Sequence, residues 1–364
     1  MNKIPVRVSG LAITLSLFEI GSTTLFLLGG KAKQDAWMSM SIGAASGLIL
    51  LLLYLVIYNL DAKHDLFELY RKYFGKIVGS VLALVFVAYF TYESSRNLRD
   101  LGELTVITLL NRTPLILILV IAIMVVGNTV RYGPRVLFIL CTTLLPVLIL
   151  AYGLLILFII VTGIIHLEFF LPVLENGIGP VWSAAIPELV SFPFGQTLLF
   201  LVFFPFVPKS KHMNKTVLFS YCITAVILII LNQIEILVLG PDLAANSTYP
   251  LLQVVQVIQV TKVLERTDAL FTLILFLGLG IKIGCFYLGA AIGLHRITSL
   301  NMKIWVIPLG ITIFLLSLIS KTYTEFIWIG LHFTVTRVYP IFQIALPFLL
   351  LCVMLLRKKK RKEG

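Results

Sequence analysis

Lys282 stands in Gly278-Leu-Gly-Ile-Lys-Ile-Gly-Cys285, inside a long apolar stretch and away from either end of it. A lysine in hydrocarbon is costly and by default marks a functional site or a buried partner. Two acids share its apolar setting, Glu19 and Glu235. An ammonium held by one of them could bind a carboxylate or couple a proton, and could stand where other carriers of this build hold sodium. The plainer role is a structural Lys–Glu pair.

Two further features converge on binding. The apolar run from Ser9 to Leu28 carries a polar interruption, Gly21-Ser22-Thr23-Thr24, and the run at 187–207 is interrupted by Ser191-Phe192-Pro193-Phe194-Gly195. Paired interruptions in corresponding halves point to the midplane site of a transporter-type fold. Unwound backbone in a membrane is tolerated only where it is buried in protein or lines a cavity. At the first break, free amides, the hydroxyls of Ser22, Thr23 and Thr24 and the start of the next helix favour a carboxylate. At the second, carbonyls suit an ammonium group, with Phe192 and Phe194 as apolar walls and Gly195 leaving room. Small residues alone serve helix packing and Pro-Phe-Gly alone a kink; their pairing favours a site. Tyr89, Tyr92 and Arg96 follow i, i+3, i+7 and so share one helix face, and Glu93 can pair with Arg96 at i, i+3. Phe286, one turn past Lys282, completes the candidate ligand-binding set.

Catalytic signatures are absent from the sequence: no phosphate-binding loop, no His-Glu-x-x-His, no nucleophile elbow and no dinucleotide fingerprint. The five histidines, His64, His166, His212, His295 and His332, fall at the edges of apolar runs or in loops, and Cys141, Cys222, Cys285 and Cys352 have no metal-like spacing. The expectation is a non-enzyme without metal or cofactor.

The elements that must position these residues are membrane helices. Of 364 residues 59% are hydrophobic and 13% charged, and the mean hydropathy is +1.02. That is half the charge of a soluble domain. Ten spans are read near 9–29, 36–58, 77–98, 114–130, 136–162, 187–207, 216–239, 268–294, 303–320 and 338–356. With the N-terminus in the cytoplasm, 19 basic residues fall on the inner side and 9 on the outer, Lys31, Lys33, Arg96, Arg99, Arg112, Lys262, Arg266, Lys321 and Arg337. This is the positive-inside asymmetry, and an even number of spans keeps both termini cytoplasmic. It also accounts for the net charge of +12 without nucleic acid. The basic tail 357–364 reads as a stop-transfer anchor able to meet anionic lipid. Residues 59–76 form an inner interfacial helix, and Glu265-Arg266-Thr267-Asp268 reads as a helix cap. The whole chain is one integral membrane domain, all-α and polytopic. Breaks in spans one and six divide it into two inverted five-helix repeats, roughly 1–162 and 180–356.

Gln34-Asp35-Ala36-Trp37, Phe74-Gly75-Lys76, Tyr249-Pro250-Leu251-Leu252 and Leu264-Glu265-Arg266-Thr267-Asp268-Ala269-Leu270-Phe271, in this order across ten spans, carry a resemblance. The chain resembles the B subunit of bacterial spore germinant receptors, the spore-permease branch of the amino acid–polyamine–organocation superfamily. The resemblance implies a LeuT-like fold with discontinuous helices one and six, in the inner membrane of a spore. It implies sensing of a nutrient, expected to be an amino acid, together with an A subunit and a lipoprotein C subunit. The germinant would sit among the span-one break, Tyr92 and Arg96, Phe194 and Lys282. The alternatives are a proton-coupled amino acid permease, with Lys282 or Glu19 as coupling group, and a scaffold subunit without a ligand pocket.

Overall fold

A computed structural model describes residues 7–208, 210–260 and 267–363; Lys3, Lys209, Lys262, Glu265 and Arg266 lie outside the described residues. All regular structure among the described residues is helical. The first half contains α1 (Val8–Gly21), α2 (Ala36–Leu60), α3 (Leu66–Phe74), α4 (Lys76–Thr108), α5 (Leu115–Val130) and α6 (Pro134–Thr162). The second contains α7 (Ile178–Ala184), α8 (Phe200–Phe203), α9 (Met213–Leu239), α10 (Pro241–Asn246), α11 (Pro250–Val260), α12 (Thr267–Thr298), α13 (Met302–Ser317), α14 (Tyr323–Ile327) and α15 (Leu346–Glu363). Eight helical segments among the described residues are long and apolar enough to cross a membrane, and the shorter apolar helices α5 and α13 stand where spans four and nine were expected. α1, α4 and α12 pack at the centre of the bundle, α12 most extensively against α4.

Span one stops earlier than its hydropathy predicts. α1 ends at Gly21, a single 3-10 turn covers Thr23–Leu25, and Phe26 is extended at φ −121°, ψ 146°. No α-helix follows the break before α2, so the helix N-terminus expected to face a carboxylate is not there. The cause is local: the Thr23 hydroxyl turns back onto the Glu19 carbonyl, a bond that competes with helical continuation, and Gly29 takes a left-handed conformation at φ 71°. The freed backbone is satisfied by α9. The Asn232 amide donates to the Leu28 carbonyl at 2.9 Å and its oxygen accepts from the Leu28 N–H at 2.9 Å. Asn232→Ala leaves both Leu28 groups buried and unpaired, at about 1–3 kcal/mol each. The expected result is a lower melting temperature in detergent, most of it restored by Asn232→Asp only where the carboxyl is protonated.

Span six is longer and broken twice. It begins at Ile178, inside the stretch expected to be loop, and runs to Phe206. Ile186 is non-helical at φ −120°, ψ 125°, and a second interruption covers Phe192 and Pro193 before a 3-10 turn over Phe194–Leu199. Pro187 and Pro193 each remove an amide and crowd the preceding residue out of the α region. The last span also starts early, at Tyr323 instead of 338, with π-helical segments Trp328–Val338 and Ile341–Ala345 joining α14 to α15. Arg337, placed on the outer side by the expected order of spans, therefore lies within this helical segment, and Arg96 and Arg99 are buried on α4. In the π segment an i+5 step puts Thr334 and Tyr339 on one face, towards α4.

The interfacial helix is α3. Asp65 and Glu68 make a capping box at its start, and Leu66, Phe67, Leu69 and Tyr70 are buried against the bundle. Arg296, in the last turn of α12, bonds Asp65 at 2.6 Å and Glu68 at 3.1 Å, so α3 is tied to the far end of the lysine-bearing helix. Burial pushes the Asp65 carboxyl up even though Arg296 opposes it. Nearby Asp61 goes the other way: burial raises it, but hydrogen bonds from Lys72 and His64 outweigh that and hold it below its ordinary value. Arg296→Met strands a buried carboxylate, and removing one partner of such a pair costs about 3 kcal/mol. Because the folded pKa is raised, that cost is full at neutral pH and shrinks as acid protonates Asp65. Melting curves of Arg296→Met at two pH values check the sign, and adding Asp65→Asn, which keeps the cap, should recover most of the loss.

Candidate functional site

α12 carries Lys282 into the centre of the bundle, where its ammonium is fully buried with no hydrogen-bond partner among the described residues. It sits over two aromatic rings, Phe192 at 4.8 Å and Phe18 at 5.2 Å. Such cation–π contacts hold a desolvated ammonium without neutralising it. Phe286 packs edge-on against Phe18 at 5.0 Å and closes the aromatic shell. Glu19 lies in the same region, buried with both carboxyl oxygens unpartnered. Glu93, Asp100 and Arg96 are buried around Lys282 as well.

This proximity depends on glycine. α1 and α12 touch backbone to backbone at Gly21 and Gly278; a Cβ on Gly21 would lie 2.7 Å from the Gly278 carbonyl oxygen and 3.2 Å from Lys282 Cβ. Only glycine admits so close an approach.

Beside the lysine a polar network joins α4 to both the second break and the last span. Glu93 accepts from the Gln196 amide at 2.7 Å and from the Tyr339 hydroxyl. Arg96 donates to Tyr339 at 2.9 Å. The expected Glu93–Arg96 pair is thus bridged by Tyr339 instead of being direct. Tyr89 accepts from the Gln343 amide at 2.9 Å and Tyr92 shares a hydrogen bond with Thr334 at 3.1 Å. Gly195 makes room for Gln343, since a Cβ there would meet the Gln343 amide oxygen at 2.2 Å. Several buried atoms in this network keep unused capacity, among them Gln196 Oε1, Gln343 Oε1, Arg96 Nε and Ser191 Oγ. Buried polar atoms in a native protein are normally paired, so their clustering needs an explanation.

Five expected members lie elsewhere. Phe194 packs edge-on to Tyr221 at 5.9 Å and against Gly47, away from Lys282. Thr24 bonds Tyr152 at 3.0 Å, and Glu235 lies with Thr23 and Thr24 around a crevice too narrow to admit water. Of the two acids offered as partners for Lys282, Glu19 shares its buried region without an ion pair to it, and Glu235 lies on the other side of the first break. Ser22 only caps α1. Sequence reasoning passed over Phe18, Gln196, Tyr339 and Gln343, although polar Gln196 directly after Gly195 was a usable signal.

Above the cluster is a cavity of about 580 Å³ between the two breaks and the last span. Its walls include Phe26, Leu28, Glu188, Phe192, Tyr323 and Trp328. Phe192 belongs to both compartments, one side facing the cavity and its ring against the Lys282 ammonium.

The chain matches the spore-permease family profile, described as spore germination protein, over residues 6–326. The chain belongs to the spore germination protein family. Among spore germination proteins it is 30% identical to spore germination protein KB of Bacillus subtilis strain 168, over 100% of this chain and 98% of the relative. It is 23% identical to spore germination protein A2 of the same organism, over 78% of this chain and 77% of the relative. Among solved structures it is similar to Mhp1, a nucleobase-cation-symport-1 family transporter in a closed conformation with bromovinylhydantoin bound. That match has a TM-score of 0.63 and 15% identity, covering 87% of this chain and 74% of the transporter. The fold of this spore germination protein is therefore that of LeuT-type membrane transporters, and the chain is an integral membrane protein of receptor or permease character.

Proposed function

We propose that the chain is the nutrient-sensing membrane subunit of a spore germinant receptor. It binds a small germinant, expected to be an amino acid, and triggers germination with an A-type subunit and a lipoprotein C-type subunit. The observation that carries this reading is the buried cluster of unspent polar atoms on Glu19, Lys282, Gln196 and Gln343 at the foot of a 580 Å³ cavity, closed off by Phe192. The positive-inside assignment turns the cavity mouth outward, with both termini cytoplasmic and the protein in the spore inner membrane. The germinant carboxylate would meet Lys282, and its ammonium would meet Glu19 and the amide oxygens. Lys282 thus takes the part expected of a helix N-terminus. Binding favours one packing of two inverted repeats, about 1–162 and 180–356, over the other, and only that difference in affinity can drive a response.

The test is deletion of the chain, with dipicolinate release recorded against a panel of amino acids and sugars and with vegetative uptake alongside. Loss of response to one nutrient at unchanged uptake supports the sensor. Normal germination with a specific uptake defect would overturn it. The buried acid–base pair Glu19–Lys282 favours one second reading, a proton-coupled amino acid permease, and substrate flux in proteoliposomes separates the two.

A further inference from the structure

A groove of about 400 Å³ runs where α5 and α13 lie side by side on α12. One wall is a single face of α5 from Val120 to Arg131, the other is the Ile307, Gly310 and Phe314 face of α13, and Tyr287 forms the floor. Two glycines keep it open. A Cβ on Gly310 would meet the Tyr287 hydroxyl oxygen at 2.6 Å, and one on Gly127 would lie 3.5 Å from the same side chain. The Tyr287 hydroxyl donates to the Val306 carbonyl, which leaves the floor without a free donor. Met124, Ile307 and Ile311 on the rim are exposed, so the groove opens sideways. One end is basic. Arg131 stands just past the last residue of α5, where the chain turns back into α6, and Lys303 opens α13 four residues before Ile307, on the same helix face. The turn and the helix start touch, since a Cβ on Gly133 would lie 3.8 Å from Met302 Cε. Both charges are exposed, and neither has an ion pair among the described residues; Arg131 rests over the Tyr132 ring at 5.4 Å. The packed elements cannot supply a counter-charge: no Asp or Glu occurs between Glu103 and Glu168 or between Asp268 and Glu325, so α5, α6 and α13 carry none.

Size and charge together name the occupant. At 1.5 Å per residue the wall from Val120 to Arg131 is about 16 Å long, half of a hydrocarbon layer of about 30 Å, the depth of one leaflet. The groove volume over that length leaves a cross-section of about 25 Å², against about 80 Å² for a helix 10 Å across. It takes a hydrocarbon chain, not a partner helix. A two-fold contact with a second copy would set Arg131 against Arg131 and bring no acid. We propose that this groove holds one anionic phospholipid of the cytoplasmic leaflet, with an acyl chain between α5 and α13 and its phosphate between Arg131 and Lys303. The positive-inside assignment puts the basic end on the cytoplasmic side, where basic pockets between transmembrane helices take such headgroups. The groove shares no lining residue with the 580 Å³ cavity, so the inference is independent of any germinant.

The full chain, purified in a non-ionic detergent and depleted of lipid, is titrated with phosphatidylglycerol or with phosphatidylcholine of the same acyl chains. Native mass spectrometry counts the lipid retained. One phosphatidylglycerol should be held at least tenfold more tightly than phosphatidylcholine, and an excess of inorganic phosphate should not displace it. Arg131→Gln combined with Lys303→Gln should remove the preference, and Arg131→Lys should keep it, both at an unchanged melting temperature. Gly127→Leu, whose Cβ would have ordinary contact distances, should fill the groove and abolish tight retention in a folded protein. Equal retention of the two lipids would overturn the proposal, as would a preference that survives in the double variant. So would retention unchanged in Gly127→Leu, which would place the lipid on the basic tail or another surface. Displacement by inorganic phosphate would make the basic end a free-anion site, and a chain–chain dimer lost in Gly127→Leu would make the groove a self-contact; either result also overturns it.

Discussion

Lys282→Met is expected to raise the germinant concentration needed for half-maximal dipicolinate release by about tenfold to a hundredfold, the worth of a hydrogen bond to a charged group at 1.5–3 kcal/mol. Methionine keeps most of the side chain's length and removes only the ammonium that lies over Phe18 and Phe192. The same change removes the buried ammonium that shares this region with Glu19, whose carboxyl oxygens have no hydrogen-bond partner among the described residues, and an uncompensated buried charge costs about 3–5 kcal/mol. Loss of response could therefore reflect loss of protein. Adding Glu19→Gln separates the two: Lys282→Met with Glu19→Gln should recover stability, measured as membrane abundance and melting temperature, and stay insensitive to germinant. The coupling makes the stability effects non-additive, as expected for residues in one network. Wild-type sensitivity in spores with normal amounts of Lys282→Met protein would remove Lys282 from the site.

Gly21→Val should be among the most damaging small substitutions near Lys282. Its Cβ alone would fall 2.7 Å from the Gly278 carbonyl, an atom of a helix backbone that cannot swing aside. Overpacking costs about 1–3 kcal/mol for a modest insertion, the value expected for Gly21→Ala. The two extra methyl groups of valine force α1 and α12 apart and separate Glu19 from Lys282. Quantitative blotting of spore membranes and dipicolinate release are the measurements. A normal response from Gly21→Val with intact assembly would argue for a scaffold without a ligand pocket.

What could be read beforehand was set by local chemistry. Glycine, proline and clustered hydroxyls interrupt helices wherever they sit, so Gly21 to Thr24 and Ser191 to Gly195 announced both breaks. Lys282 stood out because charge in an apolar run is rare. What could not be read depends on partners far along the chain. Nothing near Leu28 says that Asn232, about 200 residues away, will satisfy its amide. Nothing near Glu19 says that Lys282 will face it and Glu235 will not. The π segments were hidden because Thr334, Tyr339 and Gln343 follow an irregular step that makes sense only against the face of α4. The start of the last span was missed because His332 and Arg337 lower the hydropathy of residues that are helical all the same. In the wider set of expected site residues, those on the α12 side of the first break come together, whereas Thr24, Phe194 and Glu235 turn towards other helices.

The close approach of Gly21 to Gly278 also has a mechanical meaning. With no side chain between them to compress, the two backbones form a fulcrum. Lys282 is four residues beyond that point on α12, about 6 Å along the axis, and Arg296 is eighteen beyond, about 27 Å. α12 runs through without proline from Thr267 to Thr298. A tilt that moves Lys282 by half an ångström or so would carry Arg296, and the α3 carboxylates it grips, about four times as far, turning a small shift at the lysine into a displacement of about 2 Å at the far end of α12.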